Sequence, residues 1–410
     1  MKNAAQVSIK HFVRYGSRAI AVWPHFIKRK VLLAVLSVLW LVGCSLPQVS
    51  AESRLFLPLE VELVDVVTLP KQSFEGTPVG GLSAIAYDSN RNVFYAVSDD
   101  KGQLSPPRFY TLDIQTDLKN SEAPKILSVE VQAVTTLKDS TGTEYPINRL
   151  DSEGIVLSPR QSVFISSEGL AEAQSPPALN EYDLDTGVLR TEFRLPDRLI
   201  PETDEDGVEI VKGVRSNQGL EALTLGLFSS AGAFEPFRLF VATESALAQD
   251  FDPNPENPLT NRFLHYLIGP DQSTFIAEHA YPLSLEPMGA VSSGLTELVA
   301  VDQGGHFLAL ERVYGIRGFE IKLFQLATGG ATDISNRVAL PSLAGINPIR
   351  KQLMLDFNTL DSPVEAIDNL EGMTLGPPFS DGTRSLWLIS DDNFSDEQTT
   401  QIWLFRLKNL

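Results

Sequence analysis

The sequence predicts an all-β fold, a β-propeller of five four-stranded blades, on three observations. A Gly-apolar start recurs five times, short strand-like runs follow each start, and one further strand-like run near the N-terminus lacks a unit of its own. The five starts are Gly81-Leu82, Gly154-Ile155, Gly219-Leu220, Gly294-Leu295 and Gly372-Met373. Their spacing, 65 to 78 residues, is long for a solenoid and suits blades with extended loops.

The first strand of a unit is a short apolar run, as in Ser83-Ala84-Ile85-Ala86-Tyr87. The second is denser in β-branched and aromatic residues: 93–97, 163–166, 239–242, 307–310 and 386–389. Runs of four or five such residues fit strands buried on both faces. Third strands fall at 109–112, 180–184, 263–267, 321–324 and 401–405, and fourth strands at, for example, 188–195 and 331–340. Gly187, after Asp183, supplies the residue that a tight hairpin turn wants. The last unit ends without a fourth strand, so residues 61–69 are expected to complete it and close the ring, removing an open edge. A sixth, degenerate blade within 342–369 is the alternative; there, residues 351–357 read as a short helix.

Residues 1–43 carry seven Lys and Arg and no acid, and Lys28-Arg29-Lys30 precedes an apolar run over 31–42. A basic stretch followed by about a dozen apolar residues reads as an export signal, too short for a comfortable membrane span. Leu41-Val42-Gly43-Cys44 resembles a bacterial lipobox, which makes Cys44 the expected lipidation site; cleavage after Ala51, or a buried thiol, is the alternative. The expected organisation is a signal over 1–43, a linker over 44–59 and a propeller domain over 60–410. The protein is then expected in the periplasm or cell envelope, held to a membrane by its lipid, as a monomer. Cys44 is the only cysteine, so no intramolecular disulfide staples the fold. Without residues 1–43 the chain has 26 basic against 52 acidic residues, a surface that repels nucleic acid and favours cations.

The repeat also places chemistry. Aligned on their second strands, all five units follow with an acid: Asp99, Glu168, Glu244, Glu311 and Asp391, doubled by Asp100 and Asp392. Strands run the same way in every blade, so these carboxylates are expected at one end of the ring. Carboxylates held together raise one another's pKa unless a cation neutralises them, and oxygen ligands in number suit calcium. The alternative is that they shape turns. A second set, Glu153, Glu221 and Glu371, flanks the repeat glycines and can reach the axis as metal ligands or general base. Arg149 and Arg215 lie just upstream, with Arg108, Arg262 and Arg312 near other strand ends. They can clamp a phosphate bidentately, or form ion pairs between blades.

Other chemistries find little support. Residues 202–209 imitate a calcium loop, but Gly213 stands where its bidentate Glu belongs, leaving a solvated acidic loop. His265, His279 and His306 form no close pair for zinc. Ser83 lacks the glycine pattern of a nucleophile elbow, and no phosphate-binding glycine loop appears.

Several motifs together, Val97-Ser98-Asp99-Asp100, Asp151-Ser152-Glu153-Gly154, Asn217-Gln218-Gly219-Leu220-Glu221, Thr243-Glu244-Ser245 and Asp368-Asn369-Leu370-Glu371-Gly372-Met373, carry a family resemblance. The chain from about residue 60 onward resembles the phytase-like family named for esterase-like activity of phytase. That resemblance implies a propeller-like β fold and hydrolysis of phosphate or other esters. Two functions follow as expectations: a calcium-assisted hydrolase of a small phosphorylated or ester substrate, or a lipid-anchored, non-catalytic scaffold that binds an envelope protein.

Overall fold

Five antiparallel four-stranded sheets account for nearly all regular structure in the computed structural model, which describes residues 55–409 except 121–122, 170–174, 205–209, 228–234, 255, 271, 288 and 362–363. Cys44 and the predicted signal lie outside the described residues, as does part of the 202–209 loop. Blade 1 comprises β4 (Leu82–Asp88), β5 (Val93–Ser98), β6 (Arg108–Thr116) and β7 (Ile126–Thr136). Blade 2 comprises β8 (Ser152–Ser158), β9 (Ser162–Ser167), β10 (Ala178–Asp183) and β11 (Leu189–Glu192). Blade 3 holds β12 (Leu220–Leu225), β13 (Phe237–Thr243), β14 (Thr260–Ile268) and β15 (Ser273–Pro282). Blade 4 holds β16 (Ala290–Ala300), β17 (His306–Gly315), β18 (Gly318–Ala327) and β19 (Arg350–Asp356).

Blade 5 is built from both ends of the domain. Strands β20 (Asn369–Leu375), β21 (Arg384–Asp391) and β22 (Thr400–Asn409) are joined on the outside by β1 (Leu59–Leu69), paired from Leu59↔Asn409 to Leu69↔Thr400. The predicted closure is therefore observed. A short hairpin, β2 (Gln72–Phe74) and β3 (Thr77–Val79), leads into blade 1. The innermost strands touch in sequence, β4 to β8, β12, β16 and β20, and β20 returns to β4, so the ring is complete.

In blades 1, 2 and 5 the second strand is the one most completely buried: every residue of β5 and β9 is buried, and all but Arg384 of β21. Apolar side chains from neighbouring sheets fill the gaps between blades, as where Phe94 of blade 1 meets Trp387 of blade 5 at 5.1 Å between ring centres. A fully buried aromatic of this size contributes about 3–5 kcal/mol against its alanine variant.

Two predicted elements differ from the structure. Residues 351–357 form the outer strand β19 and not a helix, because β18 has a free edge there and the ladder Ala327↔Arg350 to Lys322↔Asp356 satisfies it. A single 3-10 turn, Phe357–Thr359, follows this strand. Residues 331–340, predicted as that fourth strand, instead dock on blade 3, with Ile334 N donating to Glu278 O at 2.8 Å and Leu340 N to Asp250 Oδ1 at 2.6 Å. With 350–356 absorbed into blade 4, the described residues hold five blades and no sixth.

Candidate functional site

Each innermost strand carries a register shift at the same height. The extra residue is Ser83 in β4, Thr296 in β16 and Glu371 in β20, and lies within Glu153–Gly154 in β8 and Glu221–Ala222 in β12. A bulge re-aims the side chain it carries. Two hydroxyls brace this layer: Ser83 Oγ donates to Glu153 O at 2.9 Å and Ser166 Oγ to Glu221 O at 2.8 Å.

One step toward the mouth, the strand pairing defines a second layer. Asp99 N donates to Gly81 O, Glu168 N to Asp151 O and Glu244 N to Gly219 O, while Arg312 pairs with Gly294 and Asp391 with Asn369. The equivalent residues of the five blades are thus Asp99, Glu168, Glu244, Arg312 and Asp391. The expected fifth acid, Glu311, is one residue out of register, and in a strand a one-residue step turns a side chain to the other face. Glu311 points away from the axis, accepting from Tyr281 Oη at 2.6 Å and Ser284 N at 3.1 Å and pairing with Lys351 Nζ. Close packing requires glycine here: a Cβ at Gly294 would collide with Glu244 Oε1, and one at Gly81, whose φ is +58°, with Asp99 Oδ1.

These layers line a basin of about 1070 Å³ whose walls include Asp99, Glu153, Glu168, Glu221, Glu244, Glu371 and Asp391. Asp151, fully buried, brings a carboxylate oxygen within 4.8 Å of Glu153 and Glu168. Two cations enter. Lys101 Nζ is 3.0 Å from Asp151 Oδ2 and donates to Asn217 Oδ1 at 2.8 Å. Arg312 Nη2 reaches Glu244 Oε1 at 3.1 Å and Glu371 Oε1 at 3.2 Å. Asn369 Nδ2 donates to Glu371 Oε1 at 2.9 Å and Asp391 Oδ2 at 3.3 Å.

The electrostatics follow from eight carboxyls facing two cations in a buried space. Burial lifts Glu153, Glu168, Glu221 and Asp391 well above the ordinary carboxylate range, and their acidic neighbours lift them further. Asp99 is pushed up to about 8, by burial first and then by Glu371 and Asp151. Glu244 reaches about 7, burial outweighing the pull of Arg312. Asp151 and Glu371 are also raised by burial, against the pull of Lys101 and Arg312. Burial opposes the charges on Lys101 and Arg312, but their carboxylate neighbours prevail and raise both.

Within the basin two triads, Asp151–Glu153–Glu168 and Glu168–Glu221–Glu244, each bring one carboxylate oxygen per residue within 4.8 Å of the others, and Glu168 belongs to both. Lys101 Nζ, 3.0 Å from Oδ2, neutralises part of buried Asp151, and Arg312 Nε has no acceptor among the described residues. Buried carboxylates that outnumber the cations beside them fit a hard divalent cation such as calcium.

The remaining predicted site residues stay out of this cluster. Asp100 pairs with buried Arg108 and accepts from Leu104 N and Ser105 N, shaping the loop after β5. Asp392 accepts from Gly81 N at 2.9 Å and Phe394 N at 3.1 Å. Arg149 is exposed and meets Ser175 Oγ at 3.5 Å. Arg215 stacks on Phe251 at 4.4 Å and donates to Ser245 Oγ and Ala246 O, in a side pocket of about 260 Å³. Arg262 is a structural ion-pair centre, bound to Asp250 and Glu278. Lys101 and Asp151 were not singled out from sequence, although Lys101 directly follows Asp99-Asp100 and Asp151 opens a noted motif.

Comparison with known proteins gives a family match over residues 77–394, described as phytase-like, esterase-like activity of phytase. No curated protein matches the sequence. Among solved structures, an endo-arabinase from Bacteroides thetaiotaomicron is similar at 10% identity over 82% of this chain and 97% of its own, with a TM-score of 0.42. A GH62 α-L-arabinofuranosidase catalytic domain from Coprinopsis cinerea is similar at 10% identity over 86% and 98%, with a TM-score of 0.39. The structure of the Dos1 propeller is similar at 8% identity over 79% and 67%, with a TM-score of 0.31.

Proposed function

We propose, from the premise that the chain belongs to the phytase-like family, that the axial basin is the active site of a calcium-dependent hydrolase of small phosphorylated or other esters. The observation that carries this reading is the pair of buried carboxylate triads sharing Glu168. Asp151, Glu153, Glu168, Glu221 and Glu244 would hold the cations. A bound divalent ion supplies charge neutralisation and Lewis acidity at the ester.

The chain's own groups supply the rest. Lys101, paired with Asp151, and Arg312, paired with Glu244, offer N–H donors to the anionic part of an ester. Asp99, lifted to about 8 by burial and by Glu371 and Asp151 in the cation-free basin, would be the group to pass a proton to a leaving oxygen and recover it from water. Glu371 and Asp391, tied together by Asn369, face the same space as a second acid–base pair. In this reading the protein works in the cell envelope, tethered through Cys44.

One observation favours a binding scaffold instead: Lys101 and Arg312 already neutralise part of the cluster and link neighbouring blades. Calcium-dependent turnover of a generic phosphomonoester or carboxylic ester by the purified protein decides between the two. Turnover abolished by chelation and by Glu168→Gln supports the hydrolase. Tight stoichiometric calcium binding with no turnover of either ester class supports the scaffold and removes the hydrolase.

A further inference from the structure

We infer that Glu297, a carboxyl buried below the basin, is a positioning residue that fixes the bulges presenting Glu221 and Glu371; the inference rests on the reading of the basin as a cation site. The layer beneath the bulges holds one residue from each innermost strand. Ladder pairing gives Ala84 in β4, Glu297 in β16 and Gly372 in β20, with Gly154 and Ala222 at the same height in β8 and β12. Four of the five are Gly or Ala. The fifth is a glutamate that is almost fully buried.

Its carboxylate collects backbone donors from three blades. Glu297 Oε1 accepts from Leu223 N at 3.0 Å and Leu298 N at 2.9 Å, and Met373 N donates to the same carboxyl. The innermost strand of a blade has an open edge toward the axis, so these N–H groups have no sheet partner on that side, and leaving them unpaired costs free energy. Leu223 stands two residues after Glu221, and Met373 two residues after Glu371. One side chain thereby sets the strand segments immediately following two basin carboxylates, on the two blades flanking its own. The same three residues, Leu223, Leu298 and Met373, also line a mixed, largely aliphatic pocket of about 330 Å³ on the side away from the basin. Outer-shell groups of this kind orient ligands and tune affinity without touching the ion.

The test is calcium binding by titration calorimetry on the purified protein, alongside thermal unfolding. Glu297→Ala is expected to weaken calcium affinity by about 10–100-fold, while Glu297→Gln, which keeps an acceptor oxygen, stays within about threefold of wild type. Unchanged affinity in a folded Glu297→Ala overturns the inference. So does equal loss in both variants, since the Gln variant is then no rescue. If Glu297→Ala does not fold, Glu297→Asp, whose shorter arm cannot span to both blades, takes its place with the same two outcomes. If wild-type protein binds no calcium, the cation reading fails, and a crystal structure of the variant decides for Glu297. Displaced Glu221 and Glu371 carboxylates support it, and unmoved ones overturn it.

Discussion

Arg312 of blade 4 holds Glu371 of blade 5 at 3.2 Å, Nη2 to Oε1. Arg312 also contacts Glu244 of blade 3, so one guanidinium links three consecutive blades where the other four contribute acids. Removing one partner from a buried ion pair leaves uncompensated charge and costs about 3–5 kcal/mol. Arg312→Met is expected to lower the melting temperature of chelated protein, with calcium restoring more stability than it adds to wild type. Differential scanning calorimetry with and without chelator measures this.

Stability should also follow pH in an unusual direction. Asp99 and Glu244 have folded pKa values of about 8 and about 7, above the ordinary carboxylate range they return to on unfolding. Between those limits the folded state binds more protons than the unfolded, so stability declines as pH rises. Cation-free protein is expected to unfold more easily at pH 8 than at pH 5, and calcium to stabilise it most at pH 8. Melting curves across that range, with calcium and with chelator, check both.

Glu168 belongs to both triads, whereas Glu153 and Glu244 belong to one each. Glu168→Gln is expected to abolish two bound calcium ions, and Glu153→Gln or Glu244→Gln one. Native mass spectrometry reads the stoichiometry directly.

Glu311 provides the contrasting case. It sits between Tyr281 and Lys351, away from the basin. Glu311→Gln is expected to destabilise the fold by about 1–3 kcal/mol and leave calcium affinity unchanged. Denaturant unfolding and calorimetric titration separate the two effects.

The contrast between Glu311 and Arg312 marks how far the sequence was legible. Strand-rich runs and recurrent glycines gave five blades and the closing strand, because burial on both faces leaves a compositional trace. They could not give register, since one residue of slip exchanges an axial side chain for one between blades and the composition hardly changes. Bulges hid the equivalence of Gly81, Asp151, Gly219, Gly294 and Asn369: in blades 2 and 5 the conspicuous glycines, Gly154 and Gly372, lie deeper in the strand. Strand β19 read as a helix because its pairing partner lies across a 22-residue connection, information that no local window contains. Lys101 and Glu297 were missed for a related reason: each acquires its meaning from residues on another blade.

The pairing of Leu59 with Asn409 has a consequence for how the chain reaches this state. During synthesis β1 emerges before the other described strands and must wait for β22 before its edge is satisfied. Blades 1 to 4 can each assemble from contiguous chain, but the ring cannot lock until translation of the domain is essentially complete. Such long sequence separation slows folding and prolongs exposure of open strand edges. A chain truncated even a dozen residues early would lose β22, leave β1 unpartnered, and present two sticky edges to its neighbours.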